Sequence, residues 1–292
     1  MKIPLKPNNL QTAYSLEEQE IARLKMIAKE LRIWIIKMIA AAGSGHPGGS
    51  LSAIDIITAL FFHTIRHRPD QPEWPLRDRF ILSKGHGVPA LYAALAKSGY
   101  FPMEELMTLR QTNSRLHGHP VLGALPGMEA STGSLGQGLS IAQGLAMASK
   151  MDGTSFRVFC MLGDGETQEG QIWEAAMSAP KFHLDNLVVF TDYNKGQIDG
   201  HTQDIMDLEP LADKWKAFNW NVQEIDGHDM AQILTSLERT KSGGGKPHMI
   251  IAHTVKGKGV SFMEGNIDWH GKSTTKEETE RALAELEGAL VS

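Results

Sequence analysis

The stretch Val158-Phe159-Cys160-Met161-Leu162-Gly163-Asp164-Gly165-Glu166 joins an apolar run to a Gly-Asp-Gly turn. The apolar half is rich in strand formers, which predicts a buried β-strand over residues 157–162. A second apolar run, Val188-Val189-Phe190-Thr191-Asp192-Tyr193-Asn194, ends 30 residues after Asp164. This spacing leaves room for a helix, so the two runs predict a βαβ unit with Asp164 and Asn194 at neighbouring strand ends.

The side chains of Asp164 and Asn194 both offer oxygen atoms to a hard cation. Mg²⁺ prefers oxygen ligands in a near-octahedral shell and usually shares them with phosphate groups. The glycines on either side of Asp164 let the backbone approach a phosphate closely. The pattern therefore predicts a diphosphate and metal site. Taken alone, the alternative is an ordinary turn, because Gly-Asp-Gly is common in turns and asparagine is common where strands end.

Hydrophobic periodicity predicts that strands and helices alternate through the second half of the chain. This order is typical of an α/β fold, a doubly wound parallel sheet with helices on both faces, formed by a single domain over residues 1–292. Ligands of such sheets bind at the carboxyl ends of the strands. The predicted strands are 80–82, 157–162, 187–192, 219–224 and 248–254, and the predicted helices are 16–41, 53–62, 89–97, 103–110, 135–149, 170–179, 211–218, 230–240 and 275–290.

Composition narrows the class of partner. The net charge is −5 and no basic cluster dominates, which argues against a nucleic-acid surface and favours small molecules or protein. The single cysteine, Cys160, excludes an internal disulfide. Residues 1–15 lack the apolar core of a signal peptide, and no run reaches the length of a membrane span. We therefore expect a cytoplasmic protein without a membrane anchor.

The Gly-Asp-Gly…Asn pattern resembles the thiamine diphosphate signature. Further segments occur in the order found in transketolases, so that the chain resembles this family over nearly its whole length. These segments are Gly45-His46-Pro47-Gly48-Gly49-Ser50, Asp78-Arg79-Phe80-Ile81-Leu82-Ser83-Lys84-Gly85-His86-Gly87, Gly118-His119-Pro120, Gly133-Ser134-Leu135-Gly136-Gln137-Gly138, Ile198-Asp199-Gly200-His201, Ile225-Asp226-Gly227-His228-Asp229 and Asp268-Trp269-His270-Gly271.

The resemblance implies roles for four histidines on loops flanked by glycine or proline. His86 is expected to contact the cofactor diphosphate, His46 and His119 to meet sugar hydroxyls, and His270 to do both. The reaction of this family requires protons to be removed from sugar hydroxyls and returned to them. Imidazoles suit these proton transfers because their pKa lies near neutrality. His46, His119 and His270 are thus the candidate catalytic histidines. His117 has no counterpart in the family pattern.

The resemblance also implies the ligands of the cofactor and the metal. Mg²⁺, for which Ca²⁺ or Mn²⁺ could substitute, would be bound by Asp164, Asn194 and the carbonyl of Gly196. Backbone groups of Gly133, Ser134, Leu135 and Gly165 would face the diphosphate, together with Asn194. Glu169 is a further catalytic candidate, since a glutamate here meets a carboxylate of the partner subunit in transketolases; the alternative is a favourable charge at a helix start. Lys256 and Lys258 could add positive charge near the diphosphate, but we favour the alternative that both are exposed on a loop.

The chain departs from the family pattern after Asn194. Related sequences commonly have Asn-Gly and then a bulky aliphatic residue, whereas here Lys195 follows the asparagine and Gly196 takes the aliphatic position. An aliphatic side chain beside the cofactor is therefore expected to be missing, which predicts a lower cofactor affinity.

The chain ends at Ser292, before the pyrimidine-binding and C-terminal domains of full-length transketolases. The resemblance therefore implies the N-terminal subunit of a split transketolase, active only with a partner that carries the pyrimidine-binding domain, as a heterotetramer of two chains of each kind. It would transfer a two-carbon ketol unit from a ketose phosphate to an aldose phosphate in pentose phosphate metabolism.

The helix after Gly170, with Ile172, Trp173 and Met177, is expected to face the partner. The alternatives are another thiamine diphosphate transferase, such as a deoxyxylulose phosphate synthase-like enzyme or a specialised sugar transketolase, and a catalytically silent cofactor-binding subunit.

Overall fold

The computed structural model of the protein describes residues 16–242 and 244–288. Its centre is a five-stranded sheet in which all neighbouring strands are parallel. The strands follow the order β1-β2-β3-β7-β6. They are β1 Arg79–Leu82, β2 Val158–Gly163, β3 Leu187–Tyr193, β6 Asn221–Asp226 and β7 His248–His253. Two short antiparallel strands, β4 Gly196–Gln197 and β5 Gly200–His201, form a separate hairpin that periodicity did not predict.

The strands of the sheet send alternate side chains to its two faces, because successive residues of a strand point in opposite directions. Phe159 and Met161 of β2 belong to one core, whereas Val158 and Cys160 of the same strand belong to the other. Each core is completed by helices, so the predicted arrangement of helices on both faces is confirmed.

The helices of the first core are α1 Leu16–Ala42, α2 Pro47–Ala59, α3 Val88–Ser98, α8 Met230–Arg239 and α9 Lys276–Glu287. Those of the second core are α4 Gln137–Met151, α5 Gly170–Lys181 and α7 Leu211–Ala217. A short α6, Thr202–Ile205, follows the hairpin. Most bounds agree with the predicted ones within a few residues. The predicted helix over residues 103–110 is instead a 3-10 helix, Met103–Thr108.

The start of α2 differs from the sequence prediction in a way that matters for the site. The helix was expected from residue 53, but it begins at Pro47, and His46 is its N-terminal capping residue. Proline is favoured in the first turn of a helix because it needs no hydrogen-bond acceptor there. The Gly-His-Pro-Gly-Gly segment therefore brings a rigid helix end, rather than a loop, to the edge of the sheet.

A buried ion pair joins the carboxyl ends of β1 and β3. Lys84, just after β1, donates to the Asp192 carboxylate, and both side chains are almost completely buried, at 1% and 0% exposed. The Lys84 ammonium also donates to the carbonyl of Gly49, at 2.7 Å. Because β2 lies between β1 and β3, the lysine side chain spans the end of β2, where Gly163 leaves room for it.

A second buried carboxylate, that of Glu166, holds the turn after β2. It accepts hydrogen bonds from the Ser83 hydroxyl at 2.5 Å, from the Gly136 amide at 2.9 Å and from the Gly163 amide at 3.0 Å. These three donors belong to the end of β1, the start of α4 and the end of β2. One side chain thus fixes the relative positions of three segments that border the candidate site.

The structure describes no residue before 16, so the expectation for residues 1–15 lies outside the described part, as do the last residues of the predicted closing helix, 289–290. In the ranges that it does describe, no helix combines the length and the apolar character needed to cross a membrane.

The close approach of α4 to the end of β1 gives a first prediction. A Cβ on Gly138 would lie 2.4 Å from the Ser83 hydroxyl oxygen and 2.7 Å from the Ser83 Cα, so Gly138→Ala forces the backbone to shift. We expect it to lower the free energy of unfolding by about 1–3 kcal/mol. The control is Gly144→Ala on the same helix, where a Cβ meets nothing within 4 Å. It should raise stability by about 0.5–1 kcal/mol, because alanine favours helix. Urea denaturation of the full chain measures both; equal effects would contradict the packing argument.

The buried ion pair gives a second prediction. Lys84→Met leaves the Asp192 carboxylate buried without its cation, and this should cost about 3–5 kcal/mol of unfolding free energy. The matched control is Lys97→Met, which removes a pair with Glu30 whose side chains are 33% and 43% exposed. A surface pair contributes at most about 1 kcal/mol. If chemical denaturation gave a small loss for Lys84→Met as well, the ion pair would not be a main constraint on the fold.

Candidate functional site

A cavity of about 220 Å³ opens at the carboxyl ends of the strands, where an open parallel sheet places its ligands. Eight of the residues predicted for the site line this one cavity: His86, Leu135, Asp164, Gly165, Glu169, Asn194, Gly196 and His270. The segments that carry them are spread along most of the chain, from His86 to His270. The fold therefore brings the predicted metal ligands and two of the predicted histidines to one place.

Asp164 caps the short 3-10 turn that follows β2. Its Oδ1 accepts from the Gly165 amide at 2.8 Å and its Oδ2 from the Lys195 amide at 2.5 Å. Burial, followed by the charge of the nearby Asp192 carboxylate, raises the pKa of Asp164 to about 6. A carboxylate that is costly to ionise in this environment is well suited to a cation, whose charge would stabilise the ionised form.

Asn194 is oriented by the residue two positions before it. Its Nδ2 donates to Asp192 Oδ2 at 3.0 Å, so its Oδ1 points the other way and accepts from the Gly196 amide at 3.1 Å. Asp192 also accepts from Ser52 of α2 at 2.6 Å and from the Thr254 hydroxyl after β7. Although burial alone would raise the pKa of Asp192, the Lys84 ammonium and these donors hold it below its usual value.

The structure accounts for Gly196 in the departure from the family pattern after Asn194, but not for Lys195. Lys195 has φ of 61°, the left-handed region in which glycine is the easiest residue to place. A Cβ on Gly196 would lie 2.5 Å from Cδ1 of Ile267 and 2.8 Å from Cε of Lys256, so those two side chains occupy the space of the expected aliphatic residue. Ile198, which is 70% exposed, lines the cavity instead. An aliphatic side chain thus reaches the cavity from two positions further on.

Four of the chain's histidines form one cluster beside this cavity. The ring centroid of His46 lies 5.3 Å from that of His86, 5.7 Å from His270 and 6.3 Å from His119. The rings of His86 and His270 are stacked at 5.1 Å. No helix or strand contributes more than one member, which is why periodicity could not show that they meet.

The imidazoles of the cluster are held neutral at physiological pH. Burial lowers the pKa of His46 to about 4 and that of His270 to about 3; the charges of Arg110 and Lys256, respectively, act in the same direction. Burial and the Lys84 charge hold the pKa of His86 well below its usual value, and burial also lowers that of His119. A neutral imidazole can accept a proton through one nitrogen and donate one from the other.

Lys256 was expected to be exposed, and this was wrong: its side chain is 2% exposed and lines the cavity. Its Nζ lies 3.2 Å from Nδ1 of His270. Because an ammonium group can only donate, Nδ1 accepts and the ring proton of a neutral His270 is on Nε2. Burial, followed by repulsion from Lys84, lowers the pKa of Lys256 to about 8. Lys258, in contrast, is half-exposed and pairs with Glu264 at 3.2 Å.

The remaining predicted residues lie around the rim. His119 packs on Gly133, where a Cβ would come within 2.8 Å of its ring, and Ser134 is exposed in the next position. Glu169 is exposed at the mouth of the cavity, as the capping residue of α5. His117 lines a second cavity, together with His119.

The lining residues fit a diphosphate with a divalent cation. Lys256 is a buried cation that has no carboxylate within ion-pair distance in the described part of the chain, so an anion would compensate its charge. Asp164, the Asn194 side-chain oxygen and the Gly196 carbonyl are all hard oxygen donors. The described residues contain no cluster of three His, Cys, Asp or Glu side chains suited to a metal, so phosphate oxygens would have to complete such a shell.

Sequence reasoning assigned no role to Lys84, Glu166 or Gln197, yet all three line the cavity. Gln197 has a buried Oε1 without a hydrogen-bond partner in the described ranges, beside Gly165. The signal that could have found Lys84 and Lys256 is their position just after β1 and β7. Parallel strands end at the same edge of a sheet, so such residues are close to Asp164 and Asn194.

Known proteins similar to this chain point to one family. Residues 23–287 match the family model described as "Transketolase, thiamine diphosphate binding domain". The chain is 50% identical to the 6-deoxy-6-sulfo-D-fructose transketolase subunit SqwG of Clostridium sp. (strain MSTE9), over 93% of this chain and 98% of the relative. It is 42% identical to one subunit of the apulose-4-phosphate transketolase of Phocaeicola vulgatus, over 91% of this chain and 95% of the relative.

The fold is similar to solved transketolase structures. With transketolase from Campylobacter jejuni the TM-score is 0.86 at 35% identity, over 92% of this chain and 43% of that one. The chain thus spans less than half the length of that transketolase, whereas it spans nearly the whole length of the two subunits named above. These matches show that the chain belongs to the transketolase family and carries its thiamine diphosphate binding domain.

Proposed function

We propose that the chain, as a single domain over residues 1–292, is the N-terminal subunit of a two-subunit transketolase that transfers a two-carbon ketol unit from a ketose phosphate to an aldose phosphate. The observation that carries this proposal is the convergence of two sets of residues in one crevice. Asp164 and Asn194 offer the oxygens for a metal-bound diphosphate, and His46, His86 and His270 form a cluster of neutral imidazoles beside them.

In this proposal the diphosphate and Mg²⁺ share the deepest part of the crevice. Asp164, Asn194 Oδ1 and the Gly196 carbonyl hold the metal, with Ca²⁺ or Mn²⁺ as possible substitutes. Lys256 and His86 line the same cavity and would face the diphosphate, with backbone groups of Leu135 and Gly165. Bound thiamine diphosphate supplies a carbon nucleophile and an electron sink for breaking a carbon–carbon bond next to a carbonyl.

The chain's own contribution to the chemistry is to bind hydroxyls and move protons. His270, with its proton on Nε2, can donate to a sugar oxygen, and the neutral His46 can take a proton from a hydroxyl and return it. His46 Nδ1 is fully buried and has no hydrogen-bond partner in the described ranges, so the exchange with a substrate hydroxyl would use Nε2. His119, further out, contacts the next hydroxyl. Proton transfer by a correctly placed imidazole raises the reaction rate by a factor of about 10²–10⁴.

A partner chain is part of the proposal, because the names of two similar proteins describe them as transketolase subunits. The partner would supply the pyrimidine-binding domain, and two chains of each kind would form a heterotetramer with two sites. Glu169, exposed at the mouth of the cavity, would meet it. On α5, Met177 is 65% exposed and suited to such a contact. Ile172 was also expected to face the partner, and this was wrong, because the residue is fully buried. The ring of Trp173 stacks on that of Phe218 in the same chain.

The names of the relatives support one form of the proposal as to substrate class. Those that match over nearly their whole length are named for 6-deoxy-6-sulfo-D-fructose and for apulose 4-phosphate. A transketolase specialised for a modified or anionic sugar is therefore the form of the proposal that the relatives favour. A reducing cytoplasm suits it, because Cys160 is a free thiol buried in β2.

Reconstitution tests the proposal. The full chain, its partner subunit, thiamine diphosphate and Mg²⁺ should together transfer a ketol unit to D-ribose 5-phosphate or D-glyceraldehyde 3-phosphate, whereas the chain alone should give background rates. The reason is that, in this proposal, the pyrimidine-binding domain is supplied by the partner. Measurement is by a coupled assay with several ketose donors. An assembly that binds the cofactor but transfers nothing would favour a silent cofactor-binding subunit, and full turnover by the chain alone would contradict the need for a partner.

Removal of the metal carboxylate gives a further prediction. Asp164→Ala should weaken Mg²⁺-dependent binding of thiamine diphosphate by at least about tenfold and make any residual binding insensitive to EDTA, because no other carboxylate is placed on the metal. Calorimetric titration of the reconstituted assembly measures this. The control, Asp213→Ala on α7, removes the same charge from a side chain that is 68% exposed. An unchanged, EDTA-sensitive affinity in Asp164→Ala would refute the metal assignment.

A further inference from the structure

The segment over residues 255–259, which follows β7, borders two cavities. Lys256 lines the cavity at the strand ends, together with the predicted metal ligands. Lys258, two positions on, lines another cavity, of about 340 Å³. That cavity is also lined by three largely buried polar side chains, those of Arg32, Asp55 and His228. One short stretch of backbone therefore connects these three residues with the candidate site.

The carboxylate of Asp55, on α2, binds both of the other side chains. Its Oδ1 accepts from Nη1 of Arg32 at 3.0 Å, and its Oδ2 accepts from Nη2 of the same arginine at 2.5 Å. Oδ2 also accepts from Nδ1 of His228 at 2.8 Å. Although burial alone would raise the pKa of Asp55, the Arg32 charge and the hydrogen bond from His228 hold it below its usual value. The carboxylate is thus ionised, and it joins α1, α2 and the turn before α8.

The two residues that bind Asp55 also hold the backbone on either side of Lys256. Nε2 of His228 accepts from the Val255 amide at 2.8 Å. This nitrogen therefore carries no proton, and the ring proton is on Nδ1, where it is donated to Asp55. On the other side, Nε of Arg32 donates to the Lys258 carbonyl at 3.1 Å.

The turn over residues 225–229 presents His228 to this segment. The Gly227 amide donates to the His253 carbonyl, at the end of β7, at 2.8 Å. A Cβ on Gly227 would lie 2.4 Å from Cγ2 of Thr254, so glycine is what lets the turn approach β7 so closely. The Ile-Asp-Gly-His-Asp segment noted in the sequence thus places an imidazole against the backbone that follows β7.

The middle of the segment is held by its backbone. The Gly257 amide donates to the Gly48 carbonyl at 3.0 Å, and the Gly265 amide donates to the Lys256 carbonyl at 2.9 Å. The Lys256 ammonium, in contrast, contacts the neutral imidazole of His270 at 3.2 Å. A buried ammonium beside a neutral group has lost hydration, and a long lysine side chain regains it by turning toward water. The burial of Lys256 therefore depends on how firmly its backbone is held.

We propose that His228 is a positioning residue that keeps Lys256 in the cavity at the strand ends. It acts through the Val255 amide, and Asp55 fixes the orientation and tautomer of its ring. The inference rests on the proposed function for what Lys256 does there, namely contact the cofactor diphosphate.

Chemical labelling of the full chain alone tests the positioning. Lys256 is 2% exposed, so acetic anhydride should acetylate it slowly. His228→Phe keeps a ring but loses both hydrogen bonds, and it should speed this acetylation by at least about fivefold relative to the exposed Lys276. His228→Gln can still accept from Val255 and donate to Asp55, so its rate should stay within about twofold of the unmodified chain. Peptide mass spectrometry measures the rates.

The matched control is His63→Phe, which should leave the acetylation of Lys256 unchanged. Nδ1 of His63 also pairs with a carboxylate, that of Glu20 at 3.0 Å, but its side chain is 34% exposed. An unchanged rate in His228→Phe, or equal rates in the Phe and Gln variants at position 228, would overturn the proposal. Independently of any variant, ¹⁵N NMR of the unmodified chain should show His228 with its proton on Nδ1, and a proton on Nε2 would contradict the proposal.

Thiamine diphosphate binding to the reconstituted assembly tests the link to the proposed function. Lys256→Met should weaken it by at least about tenfold, and His228→Phe by at least about fivefold. Because His228 acts through Lys256, the double variant should bind within about twofold of Lys256→Met. Losses that multiply would refute this route of action. An unchanged affinity in Lys256→Met would refute only the diphosphate contact of the proposed function, since the acetylation rates decide the positioning by themselves.

Discussion

The Lys84–Asp192 ion pair is the interaction on which the rest of the structure depends. Asp192 collects donors from the end of β1, from α2, from the segment after β7 and from Asn194, and it is completely buried. A buried carboxylate is tolerated only when its charge is paired and its oxygens are hydrogen-bonded. Because these donors come from distant parts of the chain, satisfying one carboxylate requires the strand ends and the start of α2 to meet. The crevice is a consequence of that requirement.

The electrostatics of the crevice follow from the same arrangement. Lys84 has its counter-ion, whereas Lys256, equally buried, has an imidazole as its neighbour. The unpaired positive charge of Lys256 favours the binding of an anion beside it. The same charge opposes the protonation of nearby imidazoles. The site can therefore hold a diphosphate and neutral histidines side by side. Asp164, whose pKa is raised by burial and by Asp192, adds a position whose ionised form a cation would stabilise.

Several local features were predictable because they depend on residues close together in sequence. The strands, the helices on both faces and the turn at Asp164 agree with periodicity and spacing. The start of α2 was misplaced because its first turn contains two glycines and a proline, residues of low helix propensity, although Pro47 is well suited to that single position. The hairpin β4–β5 was not predicted, since strands of two residues have no periodicity to detect.

By itself, the sequence determined the alternating order of strands and helices and the positions of Asp164 and Asn194 at strand ends, since backbone geometry and side-chain alternation are local properties. Only the tertiary structure decided the burial of Lys256, the fit of Gly196 against Ile267 and the convergence of the histidines on one crevice. The physical reason is that burial and pairing depend on which distant segments meet. A lysine next to a glycine, as Lys256 is to Gly257, is typical of an exposed loop until the end of a neighbouring strand encloses it.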